Sequence, residues 1–171
     1  MMDDLAPPSP PNLYQGRQAC IACLREVLCG LGASNAVGLP RAALLVDADF
    51  TDWPLGEPAV LDALARWLRP PGRLLRLVAL DYEALARAHP RLARWRRDWS
   101  HRIEAWRPGD GVLPDGVRGL QAGATVLQRL DAADWRLRRI TDPVHRQAMH
   151  EACADFLQRC EPAWPVTILG L

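Results

Sequence analysis

Two stretches of this sequence combine residue types that could do chemistry at a useful spacing. The first is Asp47-Ala48-Asp49-Phe50-Thr51, which follows the apolar run Ala42 to Val46. Two carboxylates one residue apart at the end of a strand can divide the work of phosphoryl transfer. One attacks phosphorus, the other serves as acid and base, and Mg²⁺ balances the charge. The second stretch is the arginine series Arg87, Arg91, Arg94, Arg97 and Arg102. Arg87, Arg91 and Arg94 fall on one helix face at i, i+4 and i+7, and guanidinium groups so arrayed bind phosphates by charge and paired hydrogen bonds. Each stretch also has a plainer reading. The aspartates suit the cap of a turn after the strand, and a charged helix face is usually just solvated.

The Asp47-x-Asp49 step is similar to the nucleophile motif of haloacid-dehalogenase-type phosphatases. Gly109-Asp110 and Asp115 then stand in for the acidic metal-binding motif that this resemblance implies. It also implies a lysine to neutralise the phosphoryl group, and here all 21 basic residues are arginine. An arginine would have to take that part. Asp110, moreover, follows Arg107-Pro108 in a loop and not in a buried strand. A Mg-dependent phosphatase or phosphotransferase is therefore the runner-up reading.

Metal and thiol chemistry find less support. Cys20-x-x-Cys23 is half of a zinc pattern, and no second pair completes it. Both cysteines lie on the apolar face of a helix, where cysteine behaves as a small hydrophobe. Cys153 and Cys160, with His145 and His150 nearby, lack a zinc spacing. Five scattered cysteines without a secretion signal read as reduced thiols. His89, His101, His145 and His150 join no serine or cysteine in a nucleophile motif, so they read as structural or surface histidines. No cofactor is expected.

Composition sets the outer bounds. With 171 residues, 49% hydrophobic and 24% charged, the chain suits one globular domain. No apolar run approaches the ~20 residues of a membrane span. The start, MMDDLAPPSPPN, is acidic and proline-rich and resembles no targeting peptide, so a cytoplasmic location is expected. The net charge of +1 conceals an asymmetry. Residues 1–83 carry 7 Arg against 10 Asp and Glu (−3), and residues 84–171 carry 14 against 10 (+4). Within 84–107 seven arginines, Arg96 and Arg107 among them, face only Asp98 and Glu104, a local charge of +5.

The elements that must position these groups follow from periodicity. Residues 1–14 predict a disordered or extended arm, and 15–171 a single α/β domain. A first helix over Gly16 to Leu31 carries Cys20, Cys23, Leu24, Val27, Leu28 and Leu31 on its apolar stripe. Strand Ala42 to Val46 precedes a helix that starts at Glu57-Pro58 and stops at Pro70-Pro71-Gly72. Leu74 to Leu80, apolar save for Arg76, reads as a strand buried on both faces. Asp81 caps the helix that follows, and Pro90 kinks it or starts it afresh. With strand Ile103 to Trp106 this makes a βαβ unit. Short strands are expected at Val117 to Leu120, Ala124 to Leu130 and Trp135 to Ile140. A last helix from Asp142-Pro143 to about Cys160 turns Val144, Ala148, Ala152, Phe156 and Leu157 inward, and Val166 to Leu169 forms a final strand.

The segment LLRLVALDYEALARAHPRLARWRRDWSHRIEAW resembles the central βαβ segment of an uncharacterised proteobacterial family with a phospholipase D-like fold. The matching steps are a strand ending in Asp81, a helix carrying His89-Pro90-Arg91-Leu92, and the strand entry Ser100-His101-Arg102-Ile103. LLVDADFTDWPLGEPAVLDALARWL and FLQRCEPAWPVTILGL are similar to that family's first strand and helix and to its ending. The resemblance implies a mixed, largely parallel sheet flanked by helices on both faces, and a homodimer paired through its sheets. Active members need His-x-Lys-x4-Asp, but VRGLQAGATVLQRLD holds neither histidine nor lysine. The expectation is a non-catalytic binding or regulatory module for an anionic ligand, nucleic acid or acidic protein, using Arg87, Arg91, Arg94, Arg97 and Arg102. A plain protein-interaction subunit is the third reading.

Overall fold

The computed structural model describes residues 12–33, 38–131 and 133–166. At its centre lie three parallel strands, β2 (Ala42–Val46), β3 (Leu74–Val78) and β4 (Ile103–Pro108). Helix α2 (Pro58–Leu68) returns the chain from β2 to β3. Helices α3 (Tyr82–Ala88) and α4 (Pro90–Asp98) return it from β3 to β4. Antiparallel strands extend both sides: β5 (Gly119–Ala122) pairs with β2, and β6 (Thr125–Asp131), β7 (Arg136–Arg139) and β1 (Leu13–Gln15) follow. On the far edge β8 (Cys160–Pro162) pairs with β4. The order is β1-β7-β6-β5-β2-β3-β4-β8.

The α/β class, the mixed sheet and helices on two faces match the sequence reading. The largely parallel sheet does not. Among the described residues only the β2–β3 and β3–β4 ladders are parallel, and the other five are antiparallel. The short β5–β6 and β6–β7 connections force antiparallel neighbours, whereas the α2 and α3–α4 crossovers bring β3 and β4 back parallel.

Strand alternation sorts the core. Ala43, Leu45, Leu75, Leu77, Ile103, Leu120 and Leu127 face α1 (Arg17–Leu31), α2, α3 and α4. Val46, Val78, Val126 and Ile140 face the other way, with Met149, Cys153 and Phe156 of α5 (Pro143–Leu157). Arg25 of α1 grips Glu57 at the start of α2 through two bonds of 2.7 Å. That bond holds the Glu57 carboxyl below its usual range. The α1–α2 contact is so close that a Cβ on Gly32 would lie 2.6 Å from the Ala63 backbone.

Local signals placed most boundaries. Asp81 caps α3 by accepting from the Ala84 amide at 2.9 Å, and Asp142 caps α5 by accepting from the His145 amide at 2.9 Å. Pro90 starts a fresh helix, because His89 leaves the helical region at φ −128°. Some boundaries and one helix phase need correction. β5 starts at Gly119 and not Val117, since Asp115–Val117 forms a 3-10 turn. Gly119 has φ +139° and a Cβ there would meet the Leu127 carbonyl at 1.9 Å, so only glycine fits. In α5, Val144 is 74% exposed and Ala148 and Ala152 face solvent, while Met149, Cys153 and Phe156 are buried. Phe156 is inward as expected, and with it Met149 and Cys153 bury more apolar area than Val144, Ala148 and Ala152 would, so packing chose that phase. Strand β8 has no counterpart in the sequence reading. The expected final strand falls outside the described residues except for Val166, which is not in a strand. Of the expected arm, Leu13 and Tyr14 form part of β1, and residues 1–11 lie outside the described residues. No described helix is long and apolar enough to cross a membrane.

Candidate nucleic-acid interface

Helix α4, PRLARWRRD, is phased by two inward positions four apart. Leu92 and Arg96 are buried and Trp95 is half-buried. That leaves Arg91, Arg94 and Arg97 outward at successive i+3 steps, about 9 Å apart end to end along the axis. Arg87, in the last turn of α3, is exposed as well. Among the described residues no carboxylate lies within ion-pair distance of these four. Arg91, Arg94 and Arg97 share one side of α4, while the break at His89 puts Arg87 on the separate helix α3. The single helix face expected for Arg87, Arg91 and Arg94 therefore does not form. Four guanidinium groups exposed on this helical pair can still meet phosphate oxygens.

Arg102 does not belong with them. Its Nη1 donates to the carbonyls of Leu68 at 3.3 Å and Pro70 at 2.8 Å. It thereby satisfies carbonyls that the end of α2 leaves without helical partners. Its role is to anchor α2 to the entry of β4. Arg96, expected beside Arg97 and Arg102 near the phosphate-binding face, is buried instead. Its guanidinium lies 4.1 Å from the centroid of the Trp164 ring, and Nη2 donates to the Trp164 carbonyl. Desolvation pushes the Arg96 pKa down. Trp164 in turn stacks on Tyr82 at 5.2 Å, and the Tyr82 hydroxyl donates to the Trp106 carbonyl at 2.6 Å. Leu92 at i−4 is the signal that pointed Arg96 inward.

An aromatic row borders the cationic surface. Trp95 and Trp99 lie 6.1 Å apart, and His101 stacks on Trp99 at 6.3 Å. The tryptophans pack against the core, so of the three only His101 is exposed.

The two aspartates do different work. Asp47 is 3% exposed. Its Oδ1 accepts from Arg129 Nη1 at 3.0 Å, and its Oδ2 accepts from the Phe50 amide at 3.2 Å. Asp49 accepts from the Thr51 amide at 3.0 Å and from its hydroxyl at 2.9 Å. Together they hold a turn in which Phe50 sits at φ 56°, and His89 Nε2 donates to the Phe50 carbonyl at 2.8 Å to lock it. This is the turn-capping role. Asp110 accepts from the Val112 amide, and Asp115 lies 3.9 Å from Arg118; both are exposed. Among the described residues no group of three or more His, Cys, Asp or Glu is placed to hold a metal ion. All five cysteines are free thiols. His145 pairs with Asp142 at 2.8 Å, and His150 Nδ1 meets Gln121 Oε1 at 2.7 Å.

No family model matches the chain, and no curated protein matches it. Among solved structures the fold is similar to that of TrmBL2, an archaeal chromatin protein described as showing a novel mode of DNA binding. The TM-score is 0.61 at 14% identity, over 93% of this chain and 57% of that one. This chain therefore spans little more than half of TrmBL2, and the likeness is one of fold.

Proposed function

We propose that this domain is a non-catalytic binding module whose α3–α4 surface takes a polyanion, with double-stranded nucleic acid as the partner class. The observation that carries it is the set Arg87, Arg91, Arg94 and Arg97, exposed and without carboxylate partners among the described residues. Such groups replace condensed counterions on a phosphate backbone, and that exchange supplies most of non-specific affinity. The DNA binding attributed to TrmBL2 is in keeping with this partner class. We further read the fold as phospholipase D-like with its catalytic motif lost. The β5–β6 hairpin that would carry His-x-Lys-x4-Asp has neither His nor Lys, so it offers no nucleophile for phosphorus.

The test is fluorescence anisotropy of a short labelled DNA duplex against the protein across a salt series. Affinity should fall steeply with salt. The triple variant Arg91→Ala/Arg94→Ala/Arg97→Ala should flatten the slope of log K against log salt by up to about 2.7, at about 0.9 per phosphate contact. Arg102→Ala should leave the slope unchanged. A parent protein with no salt-dependent binding, or a triple variant that binds like the parent, would overturn the proposal.

A further inference from the structure

The apolar run of β3 is broken once, at Arg76, whose side chain is 39% exposed on this central strand. Register sets it in a row across four strands. Gln121 of β5 pairs with Leu44 of β2, Leu44 with Arg76, and Arg76 with Glu104 of β4. This row lies on the α5 side of the sheet, and the helix overhangs it with His150, Cys153, Ala154 and Leu157. Between them is a half-open cavity of about 210 Å³.

Arg76 is oriented from outside this cavity, and Gln121 by two residues of its wall. Arg76 Nε donates to Glu104 Oε2 at 2.9 Å, and Trp106 Nε1 donates to the same oxygen at 3.1 Å. The guanidinium is thereby fixed through Nε, and its Nη1 and Nη2 make no hydrogen bond with any described residue. Gln121 Oε1 accepts from His150 Nδ1, while Gln121 Nε2 donates to Cys153 Sγ at 2.6 Å. An amide oxygen cannot donate, so His150 carries its proton on Nδ1. The remaining lining is small and apolar: Ala42, Leu44, Ala154 and Leu157.

We propose that this cavity is a binding site for a small monocarboxylate with a compact apolar body. The two Nη groups offer the parallel donors that a planar carboxylate accepts. Glu104 is the positioning residue, and its charge beside the guanidinium disfavours a dianion such as phosphate. The apolar walls take the body of the ligand. Since an apolar cavity of about 150 Å³ holds benzene, the space suits a molecule of benzoate size. The site lies on the opposite side of the sheet from α4, so it stands independently of the nucleic-acid reading.

The experiment is isothermal titration of the full chain with sodium benzoate and sodium butyrate, with benzamide and inorganic phosphate as controls. At least one carboxylate should bind saturably, with benzamide and phosphate at least about tenfold weaker. Arg76→Gln should weaken the carboxylate at least about tenfold. Ala154→Phe, at an exposed helix position on the cavity wall, should block binding with Arg76 intact, and it remains decisive if Arg76→Gln fails to fold. The proposal is overturned if neither carboxylate binds below about 10 mM, if benzamide binds as tightly, or if binding survives both substitutions.

Discussion

The sharpest test of the Asp47 assignment is to remove its charge and keep its shape. Asp47 and Arg129 have side chains only 4% and 9% exposed, with 3.0 Å between Oδ1 and Nη1. In Asp47→Asn the amide still offers an acceptor to the Phe50 amide, but the Arg129 guanidinium keeps its burial and loses this carboxylate. Breaking a buried pair from one side costs about 3–5 kcal/mol. At roughly 2–4 °C per kcal/mol for a chain of this length, the melting temperature should drop by about 10 °C. Asp47→Ala should cost more, because the Phe50 amide then also loses its acceptor. Arg129 also meets the Trp135 ring at 4.5 Å and the Asp131 carbonyl at 3.3 Å, so the clean measure is a double-mutant cycle with Arg129→Met, followed by urea denaturation. Asp49→Asn, which disturbs only the Thr51 contacts, should cost about 1 kcal/mol or less. An Asp47→Asn variant within about 1 kcal/mol of the parent would refute the reasoning, since a carboxylate kept for chemistry contributes little to stability.

Two further predictions concern stability. The chain has no lysine, so its alkaline behaviour rests on thiols and tyrosines. Burial pushes the Cys153 thiol up to about 11 from 9.0 and raises the Tyr82 hydroxyl well above 10.0. Both folded values are raised, so this stability is fully present below the unfolded values and is lost as pH rises through the folded ones. The urea midpoint should hold to about pH 8 and then fall, and Tyr82→Phe with Cys153→Ala should flatten that fall. A decline equally steep in that double variant would refute the assignment. In α5, Met149→Ala should cost about 2–4 kcal/mol and Val144→Ala under about 0.5, measured by thermal melting. The reverse order would restore the phase expected from the sequence.

The sequence by itself determined the features that a few neighbouring residues encode. The caps Asp81 and Asp142, the helix start at Pro58, the fresh start at Pro90, strand β2 and the α/β class all follow from local geometry and hydrogen bonding. The outward arginines of α4 were legible for the same reason, because helical spacing fixes which side chains share a face. What joins distant segments was decided only by the tertiary structure. Asp47 finds Arg129 at 82 residues' separation, which turns a suspected nucleophile into half of a buried pair. Arg102 reaches back 32 residues to the Pro70 carbonyl and leaves the anion-binding group. Arg76 gained its cavity only when β5, β2, β3 and β4 came into register beneath α5. Strand order and helix phase belong to this second class. They depend on which distant surfaces bury the most apolar area together, and no local pattern carries that comparison.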